Sequence, residues 1–165
     1  MTVRPAKAED VPAVLPMVGR ECAMHEAADP ARYGFVAGVE SMYERWLTGA
    51  AADAQCVFLV AEPEGGGRLA GFLIGRTEQE GPIYRLRRFG FIHDVWVEPA
   101  YRNEGLGRRM VLMAVEAFAR MGLSQVRLDV LAGNAAARGL FESCGFRVST
   151  HLMLLELGDA AGGTR

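Results

Sequence analysis

Two glycines stand one residue apart in residues 102–107, which read Arg-Asn-Glu-Gly-Leu-Gly between a strand-like run and a helical run. Because glycine has no Cβ, this segment can bring its backbone close to a ligand. A helix that begins here would offer unpaired backbone N–H groups, and the positive end of its dipole, to an anion. The segment therefore predicts a pyrophosphate site. It does not match the Walker phosphate loop, because no Gly-Lys-Ser/Thr follows, and it is not the GxGxxG dinucleotide motif.

The elements that would position this segment follow from the hydrophobic pattern. A central strand is predicted over Phe89–Val97, and Pro99 ends it because proline cannot donate to a strand ladder. A helix is predicted from Arg108 to about Met121, with apolar side chains recurring at helical spacing. A strand over Val126–Leu131 follows, and then a helix that Asn134 caps and that runs through Ser143.

The remaining elements complete an α/β domain over residues 1–157. One helix is predicted to begin near Asp10, where Pro16 should kink or shorten it, and a second is predicted over Val39–Leu47. The other predicted strands are Thr2–Ala6, Cys56–Ala61, Leu69–Gly75, Phe146–Val148 and Leu152–Leu157. This order predicts one domain with a mixed central β-sheet and helices on both of its faces. Residues 158–165 are predicted to form a flexible tail.

Composition narrows the class of protein. The chain has 165 residues, the size of one domain, and its formal charge of −2 argues against a nucleic-acid partner. Its three cysteines have no metal-like spacing, which predicts free thiols in a reducing compartment and no metal site. No apolar run approaches the roughly 18 residues of a membrane span, and no apolar signal core follows Met1. We therefore expect a cytoplasmic protein without a membrane partner.

Two segments carry a resemblance to a known family. Residues 102–107 resemble the Arg/Gln-x-x-Gly-x-Gly/Ala loop of the GNAT N-acetyltransferase superfamily, which holds the pyrophosphate of acetyl-coenzyme A. Further along the chain, Asn134–Phe146 is similar to that family's Asn-x-x-Ala-x-x-Leu-Tyr-x-x-x-Gly-Phe segment. The predicted strands and helices also come in the family's order. The chain is therefore identified as a member of this superfamily, and a GNAT-like domain is expected.

Membership implies a co-substrate, acetyl-CoA, and the residues that would bind it. The backbone of the loop would hold the diphosphate, and main-chain groups near Val95 and Val97 would pair with the pantetheine arm. Asn134, besides capping its helix, would contact that arm, and the Phe141 ring would pack near the sulfur. The implied cofactor-binding residues are Val95, Val97, Arg102, Asn103, Glu104, Gly105, Gly107, Arg108, Asn134 and Phe141.

Acetylation of an amine also needs a base. An alkyl amine with a pKa of about 10.4 is neutral only about one part in a thousand near pH 7. Three candidates, His93, Asp94 and Glu98, lie on or at the end of the strand that would face the acyl group. Strand alternation would send His93 and Asp94 to opposite faces, and Glu98 should be solvated. We prefer Asp94, because some family members carry an acidic residue at this offset. The alternative is a carboxylate held by backbone or arginine donors.

Phe141 departs from the family pattern. Many members have a tyrosine here that protonates the leaving thiolate, whereas phenylalanine has no O–H. A thiol with a pKa near 8.5 is not a poor leaving group, so water can suffice. The sequence thus predicts acetyl transfer to a primary amine of a small molecule or of a protein or peptide, by direct attack in a ternary complex. The alternative is a sensor that binds acyl-CoA with little or no turnover.

The identity of the acceptor is left open by the sequence. In the family, loops and their flanking helices form the acceptor pocket, and here the corresponding loops are His25–Ala37 and Thr77–Arg88. Loop conformation does not follow from hydrophobic periodicity, so these segments predict no particular amine. Relatives often pair, and a homodimer is therefore also expected.

Overall fold

The structure is a computed structural model that describes residues 1–157. Within these residues, five strands form one sheet in the order β1-β2-β3-β4-β5. The strands are β1 (Thr2–Pro5), β2 (Cys56–Glu62), β3 (Gly71–Gln79), β4 (Arg88–Val97) and β5 (Val126–Leu128). Neighbouring strands run antiparallel except β4 and β5, which are parallel. The predicted mixed sheet is confirmed.

Within residues 1–157, four α-helices cover the sheet. The first two, α1 (Val11–Ala28) and α2 (Val39–Ala50), pack on one face, and α3 (Leu106–Arg120) and α4 (Ala135–Ser143) pack on the other. Ile74 of β3 belongs to the core under α1 and α2, and its neighbour Leu73 belongs to the core under α3. This is the alternation that a strand buried on both faces requires. The predicted placement of helices on both faces is confirmed.

A β-bulge in β4 controls where that strand aims its side chains. On β3, Ile74 is opposite Asp94 while Gly75 is opposite Ile92, so His93 is an extra residue without a partner. A bulge of this kind re-aims the side chains next to it. His93 and Asp94 both face α2, against Trp46 and Tyr43 respectively. The predicted placement of His93 and Asp94 on opposite faces is therefore wrong.

The first helix continues well past its internal proline. α1 runs from Val11 through Pro16 to Ala28, so the predicted shortening at Pro16 is wrong, and the loop predicted from His25 begins too early. Proline removes a single backbone N–H, and the resulting loss is local. Beyond it, Met17, Val18 and Cys22 are buried against the sheet. Most helical stability in proteins comes from such burial, which here outweighs the lost hydrogen bond.

The C-terminal segment departs most from the prediction. β5 ends at Leu128, short of the predicted Leu131, and residues 146–157 form no strand. The predicted strands Phe146–Val148 and Leu152–Leu157 are therefore wrong. The side chains of Leu152, Met153 and Leu155 are 78%, 91% and 82% exposed. Apolar residues form a strand only when their backbone pairs with a neighbouring strand, and within residues 1–157 this segment pairs with none. The predicted tail, 158–165, lies outside the described residues.

Candidate functional site

A row of unpaired backbone donors precedes and begins α3. From Asn103 to Arg108, the N–H groups have no hydrogen-bond acceptor among residues 1–157. The first turn of a helix leaves its N–H groups unpaired, and the bend before α3 extends the row. The row is bounded on both sides, because the Arg102 N–H donates to Pro99 O over 3.3 Å and the Arg109 N–H to Gly105 O over 3.0 Å. Such a row can receive the oxygens of an anion. Binding of a pyrophosphate here stays a prediction.

The residue types at positions 103, 105 and 107 are each required by the local structure, for different reasons. Asn103 and Gly105 adopt left-handed backbone angles, with φ of 63° and 79°, which glycine and asparagine tolerate best. Gly107 has a different reason, since a Cβ there would lie 3.2 Å from Leu140 Cδ2. Its lack of a side chain lets α3 approach α4 closely. The turn is thus shaped by Asn103 and Gly105, and Gly107 fixes the helix packing beside it.

The end of β4 has one open edge. β5 pairs with β4 only along Gly90–Ile92, so beyond the bulge no strand of residues 1–157 covers this edge. Glu98 donates its N–H toward β3, to Ala70 O over 2.9 Å. Because successive residues alternate, the main-chain groups of Val95 and Val97 point away from β3, toward the open edge. The Val97 carbonyl accepts from Arg102 Nε and the Val95 amide interacts with Glu21 of α1, so an extended ligand arm could pair with the Val97 N–H and the Val95 carbonyl, next to the unpaired amides of the turn.

Two arginine side chains from the turn and the start of α3 bind protein groups. The Nε of Arg102 donates to Val97 O over 2.8 Å, and its guanidinium lies 4.9 Å from the centroid of the Trp96 ring. Arg109 Nη1 donates to Met1 O over 2.8 Å. Arg108 is exposed in the first turn of α3. These bonds engage only part of each guanidinium, and contact of Arg102 or Arg108 with an anion stays a prediction.

Asp94 lies in a buried polar cluster between β4, α1 and α2. Its Oδ1 accepts a long hydrogen bond, 3.4 Å, from the Tyr43 hydroxyl of α2. Glu21 of α1 is 6% exposed, and its carboxyl is close enough for the charge of Asp94 to affect it. Asp94 Oδ2 and Glu21 Oε2 are both enclosed, and within residues 1–157 neither has a hydrogen-bond partner. The charge of Asp94 thus acts on a second carboxyl group, that of the buried Glu21, where sequence reasoning expected one carboxyl.

Burial sets the proton affinity of this cluster. It raises the pKa of Asp94 to about 6, and the hydrogen bond from Tyr43 opposes that rise. Burial, followed by the charge of Asp94, raises the pKa of Glu21 well above its ordinary value, and the backbone amide of Val95 opposes the change. A general base works best when its pKa is near the working pH. Asp94 has that property, and its catalytic role stays a prediction.

The other two candidate bases are held by charged neighbours. His93 Nε2 lies 3.4 Å from Glu78 Oε1, and burial lowers the pKa of His93 in spite of that carboxylate. Glu98 forms an ion pair with Arg20, and its side chain is only 21% exposed. The expectation that Glu98 is solvated is therefore wrong. These contacts leave Asp94 as the candidate base on β4.

The fourth helix carries the two remaining predicted residues. Asn134 Oδ1 accepts a hydrogen bond from the Ala137 N–H over 3.0 Å, so the predicted helix cap is confirmed. Phe141 is 9% exposed, and its ring packs edge-on against Phe146 with centroids 5.9 Å apart. Contact of Asn134 and Phe141 with a cofactor stays a prediction.

Sequence reasoning missed Glu21 and Tyr43. Tyr43 lies on the apolar side of the second predicted helix, and nothing singled out Glu21. One signal was available, because Glu21 follows Val18 by three residues and precedes Cys22, which places it on the apolar side of α1. A glutamate in such a position is rarely fully buried unless it has a specific partner or role.

Neither a metal-binding cluster nor a membrane-spanning helix is found in the part of the chain that the structure describes. Within residues 1–157, no three His, Cys, Asp or Glu side chains are grouped as a metal site would require. The same residues contain no helix that is long and apolar enough to cross a membrane. The expectation that no metal takes part stays a prediction.

Comparisons with known proteins agree with this fold. A family model described as the Acetyltransferase (GNAT) family matches residues 23–146. Ribosomal protein bS18-alanine N-acetyltransferase from Escherichia coli (strain K12) is 36% identical over 59 residues, which are 36% of this chain and 40% of that protein. The chain therefore matches less than half of the length of this curated relative.

Two solved structures resemble the whole fold. A tetramutant of the BH1408 protein from Bacillus halodurans has a TM-score of 0.82 at 20% identity, covering 95% of this chain and 100% of that one. A predicted acetyltransferase from Clostridium acetobutylicum, solved with acetyl-CoA, has a TM-score of 0.73 at 17% identity, covering 94% of this chain and 95% of that one. At these identities the two structures establish the fold alone. Since the family model matches more than half of the chain, the protein belongs to the GNAT family of acetyltransferases.

Proposed function

We propose that this chain is an acetyl-CoA-dependent N-acetyltransferase that moves the acetyl group to a primary amine by direct attack in a ternary complex. The observation that carries the proposal is the row of unpaired backbone N–H groups from Asn103 to Arg108 beside the open edge of β4. Membership of the GNAT family supports it. So does the acetyl-CoA in the Clostridium acetobutylicum structure.

Two adjoining surfaces would bind the donor. The amides from Asn103 to Arg108 would receive the diphosphate oxygens, with the dipole of α3 adding a favourable field. The pantetheine arm would run along the open edge and pair with main-chain groups of Val95 and Val97. Asn134 and Phe141, on α4, would lie beside that arm. This arrangement would present the thioester carbonyl near the bulge of β4.

Asp94 would serve as the base. At pH 7 a carboxyl with a pKa of about 6 is mostly ionised, so it can take a proton from the acceptor ammonium, directly or through water. The amine nitrogen then attacks the thioester carbon, the C–S bond breaks, and the thiolate takes the second amine proton, through water because Phe141 has no O–H. Neutralising an alkyl amine at pH 7 costs roughly 4 kcal/mol, so a nearby base matters.

The acceptor would be a primary amine of a small molecule or of a protein or peptide. A shallow hollow lined by Val39, Met42, Tyr43 and Trp46 lies on α2. Tyr43 links this hollow to Asp94 by its hydroxyl. The Escherichia coli relative acts on alanine of a ribosomal protein, by its name.

We also propose a cytoplasmic location, which the free thiols of Cys22, Cys56 and Cys144 favour, and a homodimer.

One observation favours a second function. The position where many family members carry an acid is the buried Phe141, which cannot protonate a thiolate. A module that binds acyl-CoA and reports on it, with little or no turnover, would not need that acid. In that case the coenzyme would bind with the same contacts, and no amine would accelerate release of the thiol.

Thiol release separates the two functions. The purified chain with acetyl-CoA is mixed with a panel of amines, including small polyamines and peptides with free N-termini, and free thiol is followed over time. Amine-dependent release well above buffer supports the transferase. Calorimetric binding of acetyl-CoA without amine-dependent release supports the sensor, and absence of binding contradicts both.

A further inference from the structure

The second helix has an apolar hollow that opens to solvent. The hollow encloses about 330 Å³, a volume within the range of small-molecule sites, and it is lined by Val39, Met42, Tyr43 and Trp46. Met42 is 53% exposed, although α2 already packs Leu47 into the core. The hollow is therefore a second apolar surface of this helix, in addition to the one that packs on the sheet.

The hollow adjoins the bulge of β4. Both of its aromatic side chains contact the bulge, because the Tyr43 hydroxyl lies 3.4 Å from Asp94 Oδ1 and the Trp46 ring centroid lies 5.4 Å from that of His93. A molecule whose amine faces Asp94 would therefore have the rest of its structure beside Tyr43 and Trp46. The hollow is thus available to bind that part of an acceptor.

The lining of the hollow has no partner for a second charge. Among residues 1–157, the four side chains that line it include no carboxylate and no basic group, and the Tyr43 hydroxyl donates to Asp94. Glu78, which lies 3.4 Å from His93 Nε2, also lies 3.6 Å from the guanidinium of Arg76. A charged group of the acceptor would lose water in the hollow without an ion pair in return. An uncharged, apolar group fits it better.

Aromatic rings already pack one against the next on this surface. The centroids of Tyr43 and Trp46 are 5.5 Å apart with the rings edge-on, and those of Phe91 and His93 are 4.9 Å apart. Trp46 and His93 join these two pairs into one series. Rings in such arrangements attract each other beyond the effect of buried area, and methionine sulfur also packs well against rings. With Met42 beside the series, the hollow favours an aromatic group over an aliphatic one.

We propose that the acceptor is a primary amine that carries an aromatic group and no second charge, with its ring in the hollow of α2 and its amine facing Asp94. Met42 and Trp46 are then the residues that determine specificity for the ring. The inference rests on the proposed function, in which Asp94 is the base. It excludes polyamines as the preferred acceptors, and it excludes a second copy of the chain as the occupant of the hollow.

Binding of the ring can be measured without acetyl transfer. The chain has two tryptophans, Trp46 in the hollow and the buried Trp96, and NMR resolves their indole N–H signals, which Trp46→Phe assigns. With CoA present throughout, 2-phenylethylamine should shift the Trp46 signal and leave the Trp96 signal in place. Butylamine, which has the same charge, should need about tenfold higher concentrations or more.

Two results of this titration would overturn the proposal. One is a Trp46 signal that does not respond to 2-phenylethylamine, or that responds equally to butylamine. The other is a Trp46 signal that moves with protein concentration alone, which would show that a second copy fills the hollow.

The kinetic test compares Met42→Glu with Met153→Glu, a control at a methionine that is 91% exposed and outside the hollow. In wild type, kcat/KM should be about ten- to a hundredfold higher for 2-phenylethylamine than for 1,4-diaminobutane. Met42→Glu should lower this ratio at least tenfold, because a carboxylate in the hollow disfavours the ring and attracts a second ammonium. Met153→Glu should keep the ratio of wild type.

The two tests separate this inference from the proposed function. A ratio that Met42→Glu leaves unchanged, or thiol release at equal rates with every amine, would overturn the aromatic acceptor and leave the transferase standing. A Trp46 signal that shifts with 2-phenylethylamine while no amine releases thiol would refute the transferase and keep the hollow as a site for aromatic amines.

Discussion

The Tyr43 hydroxyl lies 3.4 Å from Asp94 Oδ1, and this contact joins the second helix to the bulged strand. Tyr43 also lines the hollow on α2, so this hydrogen bond links the hollow to Asp94. The hydroxyl stabilises the ionised form of Asp94 and opposes the rise in the pKa of Asp94 that burial causes. Tyr43 is itself half-buried, and burial raises the pKa of its hydroxyl, so it stays a donor throughout the neutral range.

Replacing Tyr43 by phenylalanine should therefore weaken the base at low pH. In wild type we expect kcat/KM to rise with pH through about 6, because Asp94 must lose its proton. Tyr43→Phe should raise the pKa of Asp94 further and move this rise to higher pH. The activity at pH 6 should fall roughly two- to fivefold and recover by about pH 9. A pH–rate profile measures both effects.

The exposed Tyr84 provides the control: it lies in a loop expected to line the acceptor pocket, so Tyr84→Phe can change the level of activity but should leave the pH at which kcat/KM rises unchanged. An equal loss of activity at every pH in Tyr43→Phe would mean that the hydroxyl does not act through the proton affinity of Asp94.

A tyrosine at position 141 should supply the missing acid. Phe141, on α4, occupies the position where many family members carry a tyrosine, and its ring packs against Phe146, which follows the helix. We expect Phe141→Tyr to raise kcat severalfold, because its hydroxyl can protonate the leaving thiolate, and Phe146→Tyr to have no such effect. A time course of thiol release compares kcat of the two variants. A collapse of activity in Phe141→Tyr alone would show that the site depends on an apolar ring.

Main-chain donors, and not side-chain charge, should dominate coenzyme binding. Arg108→Pro removes one unpaired N–H in the first turn of α3, where proline is tolerated, and Arg108→Ala removes only the side chain. A hydrogen bond to a charged group contributes about 1.5–3 kcal/mol, so the proline variant should bind CoA roughly ten- to a hundredfold more weakly. The alanine variant should lose little. Calorimetry measures the affinity of both variants for CoA. Equal losses of affinity in the two variants would assign the effect to the guanidinium group of Arg108.

Much of the fold could be predicted from the sequence because hydrophobic period and turn residues act locally. The hairpin of β2 and β3, the helix capped by Asn134 and the central strand all follow from such signals. The failures depend on tertiary context. Pro16 lies in a continuous helix because the residues after it are buried, and the apolar run from Leu152 to Leu157 pairs with no strand among residues 1–157.

The candidate site shows the same division. The turn at 103–108 could be predicted, since glycine spacing and a helix start are written in consecutive residues. The effect of Asp94 on the buried Glu21 could not, because the two residues come near each other only after α1 packs on the sheet. The bulge at His93 also has no local signal in the sequence. Because of it, the side chains of His93 and Asp94 face the same side of the sheet instead of opposite sides.

Gly75 should be essential to that bulge. A Cβ on Gly75 would lie 2.7 Å from Phe91 O and 3.1 Å from Phe118 Cζ. Gly75→Ala should therefore destabilise the fold by about 1–3 kcal/mol. Gly49→Ala is the control, because nothing lies within 4 Å of a Cβ there and alanine suits a helix better. Urea denaturation should show a lower free energy of unfolding for Gly75→Ala and no decrease for Gly49→Ala. Equal stabilities of the two variants would contradict the crowding at Gly75.

The account depends most on the unpaired amides before α3, and NMR can observe them one by one. Backbone N–H resonances are recorded with CoA and with pantetheine, which lacks the diphosphate. We predict that the amides from Asn103 to Arg108 shift with CoA and stay in place with pantetheine. If CoA binds while these six amides do not respond, the central claim is contradicted.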